Sequence, residues 1–379
     1  MSGRSERSAE NTGHARERRS AALTLLTFCT IAVAVAQGQE RGDRHRQERL
    51  DDARLREGAL LVRLADTAMI GRAESDFAIE WRNDFFKAQT GTFVPFTVTV
   101  ERAKLSAASA LMYVRAVRRD TAPPAQEHPG QVRYPFDLIF AVDLAGPGEG
   151  PLRITRGFAV PPGEYDVYVA LRERASDPPS SGPRPKAAVL KQPLSVPDFW
   201  EGGLTTSSVI LADRIDALPG APAPDEVLER PYIIGENEIH PAADSSFRKD
   251  RELIVVFLIY NASVSAERNF DIQVDYHLFR TAPPGTAPEA GALRETEPAG
   301  DHPAARDGER YITHTNPQRF KPSLMGAHFD PEAGNPMMAG QGILLSSFQE
   351  GEYRLGITVT DLLSRQTLSR DVTFKVVGS

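Results

Sequence analysis

Cysteine is almost absent from this chain. The only one among 379 residues is Cys29, and it sits inside an apolar run near the N-terminus. Lipid attachment to a cysteine in such a run needs a small residue just before it, and here that residue is Phe28, so lipidation is not expected. Beyond Cys29 there can be no disulfide, thiolate nucleophile, zinc–thiolate site or iron–sulfur cluster. Stability must then come from core burial, and residues 37–379 are ample chain for that. Long basic runs are also missing outside the N-terminus, and the formal net charge is −7. Nucleic acid is therefore not an expected partner, because phosphate contacts need clustered Lys and Arg.

Motifs of several enzyme classes are absent too. No GxSxG elbow occurs, nor HExxH, a P-loop or a GxGxxG loop, so the usual serine-hydrolase, zincin and nucleotide-cofactor chemistries have no sequence support and no cofactor is implied. The 51 Asp and Glu residues leave a carboxylate pair for glycoside cleavage open, but nothing marks one pair above the rest.

The N-terminus is informative. Arg16, Arg18 and Arg19 precede SAALTLLTFCTIAVAVA, which is uncharged and ends in Ala-Val-Ala before Gln37. A basic start, an apolar middle and a small-x-small end describe a secretory signal peptide, residues 1–36, cleaved after Ala36. An uncleaved membrane anchor is the alternative, since the run is nearly long enough to span. Once cleaved, the chain is expected to make no stable membrane insertion. Residues 37–73 form a charge-dense leader, with a short helix expected over about 45–67 and a solvated or flexible character.

From Asp76 onward the pattern turns to period two. FVPFTVTV, LMYVRAV, YPFDLIFAVDL, LRITRGFAV, GEYDVYVAL and AAVLKQPLSV follow one another, with Gly and Pro between them. Short, evenly spaced strands with such punctuation signal a β-sandwich or barrel. Pro193 marks the last of these as an edge strand, because proline cannot donate to a central ladder. VPDFWEGG then reads as a junction, with Trp200 packing between domains. After it the pattern restarts. ELIVVFLIY is apolar throughout, as expected of a central strand buried on both faces. FDIQVDYHLF alternates, with Ile272, Val274, Tyr276 and Leu278 on one face and His277 on the polar one. Residues 281–309 lose periodicity and read as a mobile surface loop. Asn261-Ala262-Ser263 has the form of a glycosylation sequon and is read as accidental.

Two stretches are nearly the same: GEYDVYVAL at 163–171 and GEYRLGITV at 351–359. Tyr165, Val167, Val169 and Leu171 match Tyr353, Leu355, Ile357 and Val359, all on one strand face by period two. The Gly163-x-Tyr165 and Gly351-x-Tyr353 entries are similar to the tyrosine corner of immunoglobulin-like sandwiches, where the phenol bonds back to nearby backbone. The simplest reading is an all-β protein of two tandem immunoglobulin-like β-sandwiches, at 74–199 and 204–379, after the signal peptide and leader.

IHPAADSSFRKDRELIVVFLIYN with the GEYRLGITVTD and DVTFKV ending resembles sandwich modules of secreted bacterial proteins that accompany GWxTD or von Willebrand A-like domains. DFFKAQTGTFVPFTVTV and PLSVPDFWEGGLTTSSVILAD resemble segments of the same set. Neither the GWxTD string nor the DxSxS metal motif of an A domain is present. The resemblance implies a secreted β-sandwich protein and brings no catalytic residues.

The segment 310–342 shows little strand period yet gathers Tyr311, His314, Phe320, Met325, His328 and Phe329. On a rigid scaffold such a loop is a candidate partner-contact surface. Its histidines, with Met337 and Met338, also allow a copper-handling reading, since thioether sulfur is a soft ligand. The expected function is an exported, non-enzymatic binding or structural protein that meets a protein or glycan through sandwich loops and edges. The alternatives are a secreted carbohydrate-active or other hydrolase and a copper-binding protein.

Overall fold

A computed structural model describes residues 56–119, 134–145, 150–174, 184–220, 222–223, 226–281, 303–325, 329–332 and 334–378. The expected signal peptide, most of the leader, His328 and residues 282–302 of the expected mobile loop lie outside the described residues. The chain divides into two units, residues 1–63 and 64–379, and every strand belongs to the second. Among the described residues no helix is long and apolar enough to cross a membrane.

A helix at 56–69 precedes the strands. It stops where Gly71 takes a left-handed conformation, φ +70°, and where the Gly71 and Arg72 amides donate to the Ala68 and Thr67 carbonyls. Glycine reaches that conformation without a Cβ clash, which is why it ends helices. The solvated leader needs correction at this end. Asp66 accepts a hydrogen bond from Arg115 at 2.5 Å, and Arg115 is itself buried.

Strands β1 (Glu80–Asn83), β2 (Phe86–Lys87), β3 (Thr92–Val100), β4 (Ser109–Arg118), β5 (Phe136–Asp143), β6 (Leu152–Val160), β7 (Gly163–Glu173) and β8 (Ala187–Val196) form the first sandwich. One sheet joins β1, β2 and β6 to β3, and the other runs β5-β4-β7-β8. Alternate residues of both sheets meet in one core, including Val94, Phe96, Met112, Val114, Phe158 and Val169.

The second sandwich contains β9 (Thr205–Thr206), β10 (Ile210–Ala217), β11 (Ile233–Ile234), β12 (Asn237–Pro241), β13 (Ser246–Arg248), β14 (Glu252–Tyr260), β15 (Ile272–Thr281), β16 (Glu309–His314), β17 (Gln318–Phe320), β18 (Met337–Leu344), β19 (Gly351–Asp361) and β20 (Thr367–Val377). Its sheets run β11-β12-β10-β14-β18 and β13-β20-β19-β15-β16, with β9 on β14 and β17 on β15.

The central strands of the two architectures repeat. The order β5-β4-β7-β8 recurs as β16-β15-β19-β20, and the β3–β6 pair recurs as β14–β18. The registers match as well: Arg118 lies opposite Tyr165, and Arg280 opposite Tyr353. Tyr165 donates its hydroxyl to the Pro161 carbonyl and Tyr353 donates to the Gln349 carbonyl, each at 2.8 Å and each four residues back. Gly163 and Gly351 have φ of +143° and +144°, which glycine alone adopts without strain. A Cβ at either would press on the guanidinium of Arg118 or Arg280.

A second repeated device lies at the far end of the same strand. Glu173 and Asp361 each close an eleven-residue strand, and both are buried. Glu173 accepts from the amides of Ser106, Ala107 and Lys186, the last two at 3.0 and 2.9 Å. Asp361 accepts from those of Ser263, Leu363 and Ser364 at 2.8, 2.9 and 3.1 Å. Each carboxylate thus ties two loops together. Burial alone would raise both pKa values, but the amide donors hold them below the usual carboxylate range.

β14 is central and buried on both faces, as its composition predicts. Leu253, Val255, Phe257 and Ile259 enter the second core, while Val256, Leu258 and Tyr260 enter a third. That third core also holds Phe86 of the first sandwich, Phe199 of the junction, and Ile210, Tyr232 and Ile239. The seam is hydrogen-bonded too. Tyr232 donates to buried Asp84 at 2.6 Å, Phe85 N–H donates to Ser208 Oγ at 2.9 Å, and Gly157 N–H donates to the Leu228 carbonyl at 2.8 Å. Burial pushes the Asp84 carboxyl above its ordinary pKa despite the Tyr232 bond.

Candidate functional site

The segment 310–342 is not one loop. It contributes β16, β17 and β18, and β18 pairs with β14 over eight residues. The period is hard to read because Gly340 and Gly342 stand at alternate positions of β18, where strands usually carry branched or aromatic residues. The six candidate contact residues do not form one surface either. Phe320 is buried, and Met325 and Phe329 pack on the core of the second sandwich. Phe329 meets Phe270 ring to ring at 5.6 Å. His328 lies outside the described residues. Met337 belongs to the core, so it serves packing and not ligation.

Tyr311 and His314 differ from these. They sit on β16, at the edge of the β13-β20-β19-β15-β16 sheet. His314 lies opposite His277, and Tyr311 opposite Phe279, with a register shift between Leu278 and Phe279. Strict alternation would put residues three apart on opposite faces. The extra residue, Ile312, forms a bulge that turns Tyr311 and His314 to the same side. The Tyr311 hydroxyl and His314 Nδ1 are then 2.9 Å apart. The His277 ring lies 6.1 Å from both the Tyr311 and the His314 rings. His277 takes the polar face as the alternation predicts, but its neighbours leave it only 9% exposed, so it is not a solvated side chain. Beside it, Arg354 stacks on Phe279 at 4.0 Å and pairs with Glu309 and Asp371 at 2.6 and 2.7 Å. The Arg354 hydrogen bond holds the Glu309 carboxyl below its ordinary range. Arg306 also pairs with Asp371, so the described end of the expected mobile loop is anchored.

The sheet edges of the first sandwich are unlike one another. β8 is an edge, as Pro193 predicts, and it is guarded. Asp76 N–H donates to the Ala187 carbonyl while Asp76 Oδ2 accepts from Ala187 N–H, and Ser75 Oγ accepts from Val189 N–H. β5 pairs only with β4 among the described residues. The Ala141 carbonyl accepts from the Arg156 side chain at 3.0 Å, so it faces away from β4. Alternation then points the backbone groups of Asp137, Ile139 and Asp143 the same way. Leu138 and Ile139 are 38% and 39% exposed there.

The junction tryptophan is 46% exposed, and its contacts are partly polar. Trp200 donates from Nε1 to the Ala88 carbonyl at 3.0 Å, and Lys87 Nζ lies 3.9 Å above its ring. Asn261 donates its amide to the Phe199 carbonyl at 3.1 Å, which gives it a structural role in the junction. Among the described residues no group of three or more His, Cys, Asp and Glu side chains is placed to hold a metal ion.

No protein-family model matches the chain, and no curated protein matches it. Among solved structures, Escherichia coli α2-macroglobulin activated by porcine elastase is similar at 11% identity, over 81% of this chain and 24% of that one, with a TM-score of 0.21. Salmonella α2-macroglobulin reacted with methylamine shows 12% identity over 80% of this chain and 17% of that one, with a TM-score of 0.18. Red sea bream transglutaminase shows 10% identity over 83% and 33%, with a TM-score of 0.19. This chain spans a third or less of the length of each, and at such superposition neither their activities nor their partners carry over to it.

Proposed function

We propose that this chain is an exported, non-catalytic binding protein that takes an extended segment of another protein along the open edge of β5. The observation that supports this most is the contrast between the edges. Unprotected edges pair with foreign strands, and proteins normally guard them. Here β8 is guarded by Pro193, Ser75 and Asp76, while among the described residues the outer edge of β5 meets only the Arg156 side chain, at the Ala141 carbonyl, and leaves Leu138 and Ile139 exposed. Strand addition draws affinity from main-chain hydrogen bonds and specificity from alternate side chains. Asp137 and Asp143 flank the apolar centre of β5, which favours a partner segment with an apolar middle and Lys or Arg at its ends. Export is supported by the basic, apolar and Ala-Val-Ala order of residues 16–36. The non-catalytic reading is supported by what the buried carboxylates do: Asp84 holds the seam, and Glu173 and Asp361 tie loops.

The experiment is affinity capture from the native envelope fraction with the unaltered chain, Ile139→Lys and Lys191→Glu. One protein should bind the unaltered chain and Lys191→Glu but not Ile139→Lys. Equal capture by all three, or polysaccharide cleavage abolished by a single carboxylate substitution, would overturn the reading.

A further inference from the structure

We propose that Asp66 holds Arg115 away from Asp137 and so keeps the Asp137 carboxylate open to a Lys or Arg of the strand that β5 takes. The inference rests on the β5 reading and adds a control to it: the end of the helix at 56–69 sets the charge at one end of the strand site. Arg115 on β4 and Asp137 on β5 are direct cross-strand partners, with Tyr113 and Ile139 the next pair on the same face. Opposite charges placed so usually pair with each other. These two do not. Arg115 pairs with Asp66 instead, and Asp137 is exposed and makes no ion pair among the described residues.

Several groups turn Arg115 toward the helix. Its Nη1 donates to Asp66 Oδ1 at 2.5 Å and stands 3.3 Å from the Met69 sulfur, and its guanidinium lies 4.1 Å from the centre of the Tyr134 ring. Its Nε–H donates to the Tyr113 oxygen at 2.8 Å, and the Tyr113 hydroxyl donates onward to Asp137 Oδ2 at 3.1 Å. Burial pushes the Tyr113 phenol up to about 12, so the hydroxyl keeps the proton it donates. One neutral hydroxyl therefore separates the cation from the carboxylate that faces it. An arginine is always charged, and Arg115 is only 3% exposed, so it needs a carboxylate close by. Asp66 is the one it has among the described residues. With Asp66 gone, Asp137 stands next, across that single hydroxyl.

The two placements of Arg115 leave β5 with different charge. Paired to Asp66, Arg115 leaves an anion at the Asp137 end of the strand site. Paired to Asp137, it cancels that anion, and a cation arriving on a partner strand gains nothing there. Asp143 at the far end accepts from the Ala145 amide at 2.8 Å, and its cross-strand partner is Ser109, not an arginine. The control thus acts at one end of the site. Coupling of this kind is reciprocal, so a partner cation on Asp137 should also hold Arg115 on Asp66 and steady the helix end.

The test joins a stability cycle to capture from the native envelope fraction, both with the full exported chain. Asp137→Asn alone should leave the urea midpoint near the unaltered value. In an Asp66→Asn background it should lower the midpoint clearly, because Arg115 then has no carboxylate. In capture, Asp66→Asn and Asp137→Asn should each bind the same envelope protein about twofold to fivefold less tightly, the effect of one exposed charge pair. The double variant should be no weaker than either, and Asp66→Glu should bind as the unaltered chain does. Additive urea midpoints, or a double variant that loses the product of the two single effects, would overturn the inference, since Asp66 would then serve only to seat the helix. Unchanged capture by Ile139→Lys would remove the β5 reading and the partner cation with it, while coupled urea midpoints would still place Arg115 between the two carboxylates.

Discussion

Replacing Tyr353 by Phe removes one oxygen from the repeated corner and leaves the ring. The ring is 2% exposed and stacks on Phe374 at 5.4 Å, with Phe348 edge-on at 5.3 Å. None of that packing changes. What is lost is the hydroxyl donor to the Gln349 carbonyl at 2.8 Å. Gln349 is an exposed residue, so water can take over part of that acceptor. The cost should be about 0.5–1.5 kcal/mol, the net value of an ordinary hydrogen bond, and not the larger penalty of a fully buried orphan. Tyr165→Phe should cost the same, since its acceptor Pro161 is also exposed. The two losses should add within about 0.5 kcal/mol, because the rings lie in separate cores. Tyr168 is buried on the opposite face of β7, with Lys191 beside it. Its hydroxyl bonds to that half-exposed side chain, so Tyr168→Phe should stay within about 0.5 kcal/mol of the unaltered chain. Urea unfolding at constant m decides. If Tyr168→Phe proved as costly as Tyr353→Phe, or if both corner variants were silent, the duplicated-corner reasoning would be wrong.

Other outcomes follow from the same geometry. Phe199→Ala should cost about 3–5 kcal/mol by opening a cavity in the seam core, and calorimetry should then show two unfolding transitions in place of one. Glu173 and Asp361 have depressed folded-state pKa values; their stabilisation is complete above the unfolded carboxylate range near pH 4 and is lost as pH falls through the folded values. Asp361→Asn should therefore flatten the acid limb of the stability curve. Asp84 has the opposite sign: its raised pKa favours folding with the proton on, so that contribution is present at low pH and is lost as pH rises past the unfolded value. Asp84→Asn keeps an acceptor for Tyr232 and should remove that decline, as pH-dependent urea midpoints would show.

Much of the fold was legible because apolar alternation and repetition are local signals. The register of Tyr165 and Tyr353, the edge position of β8 and the central position of β14 could all be read from side-chain type. β14 was readable because burial on two faces leaves no polar alternation. What escaped depends on partners far away in sequence. Glu173 and Asp361 look like ordinary strand-end carboxylates until Ser106, Lys186 and Ser263 are brought beside them. Their equal spacing from Gly163 and Gly351 was the one available clue. β16 and β18 escaped because a bulge and two glycines break the alternation on which strand reading depends. That β5 pairs only with β4 among the described residues could not be read at all, since a strand's edge position is decided by the strands that do not pair with it.

The central claim is that β5 takes a partner strand. A photoreactive residue at Ile139 and, separately, at Lys191 of β8 would test it in cells that export the chain. Cross-linking in the envelope should give one discrete protein adduct from position 139 and none from position 191. No adduct from position 139, or the same adduct from both positions, would contradict the account.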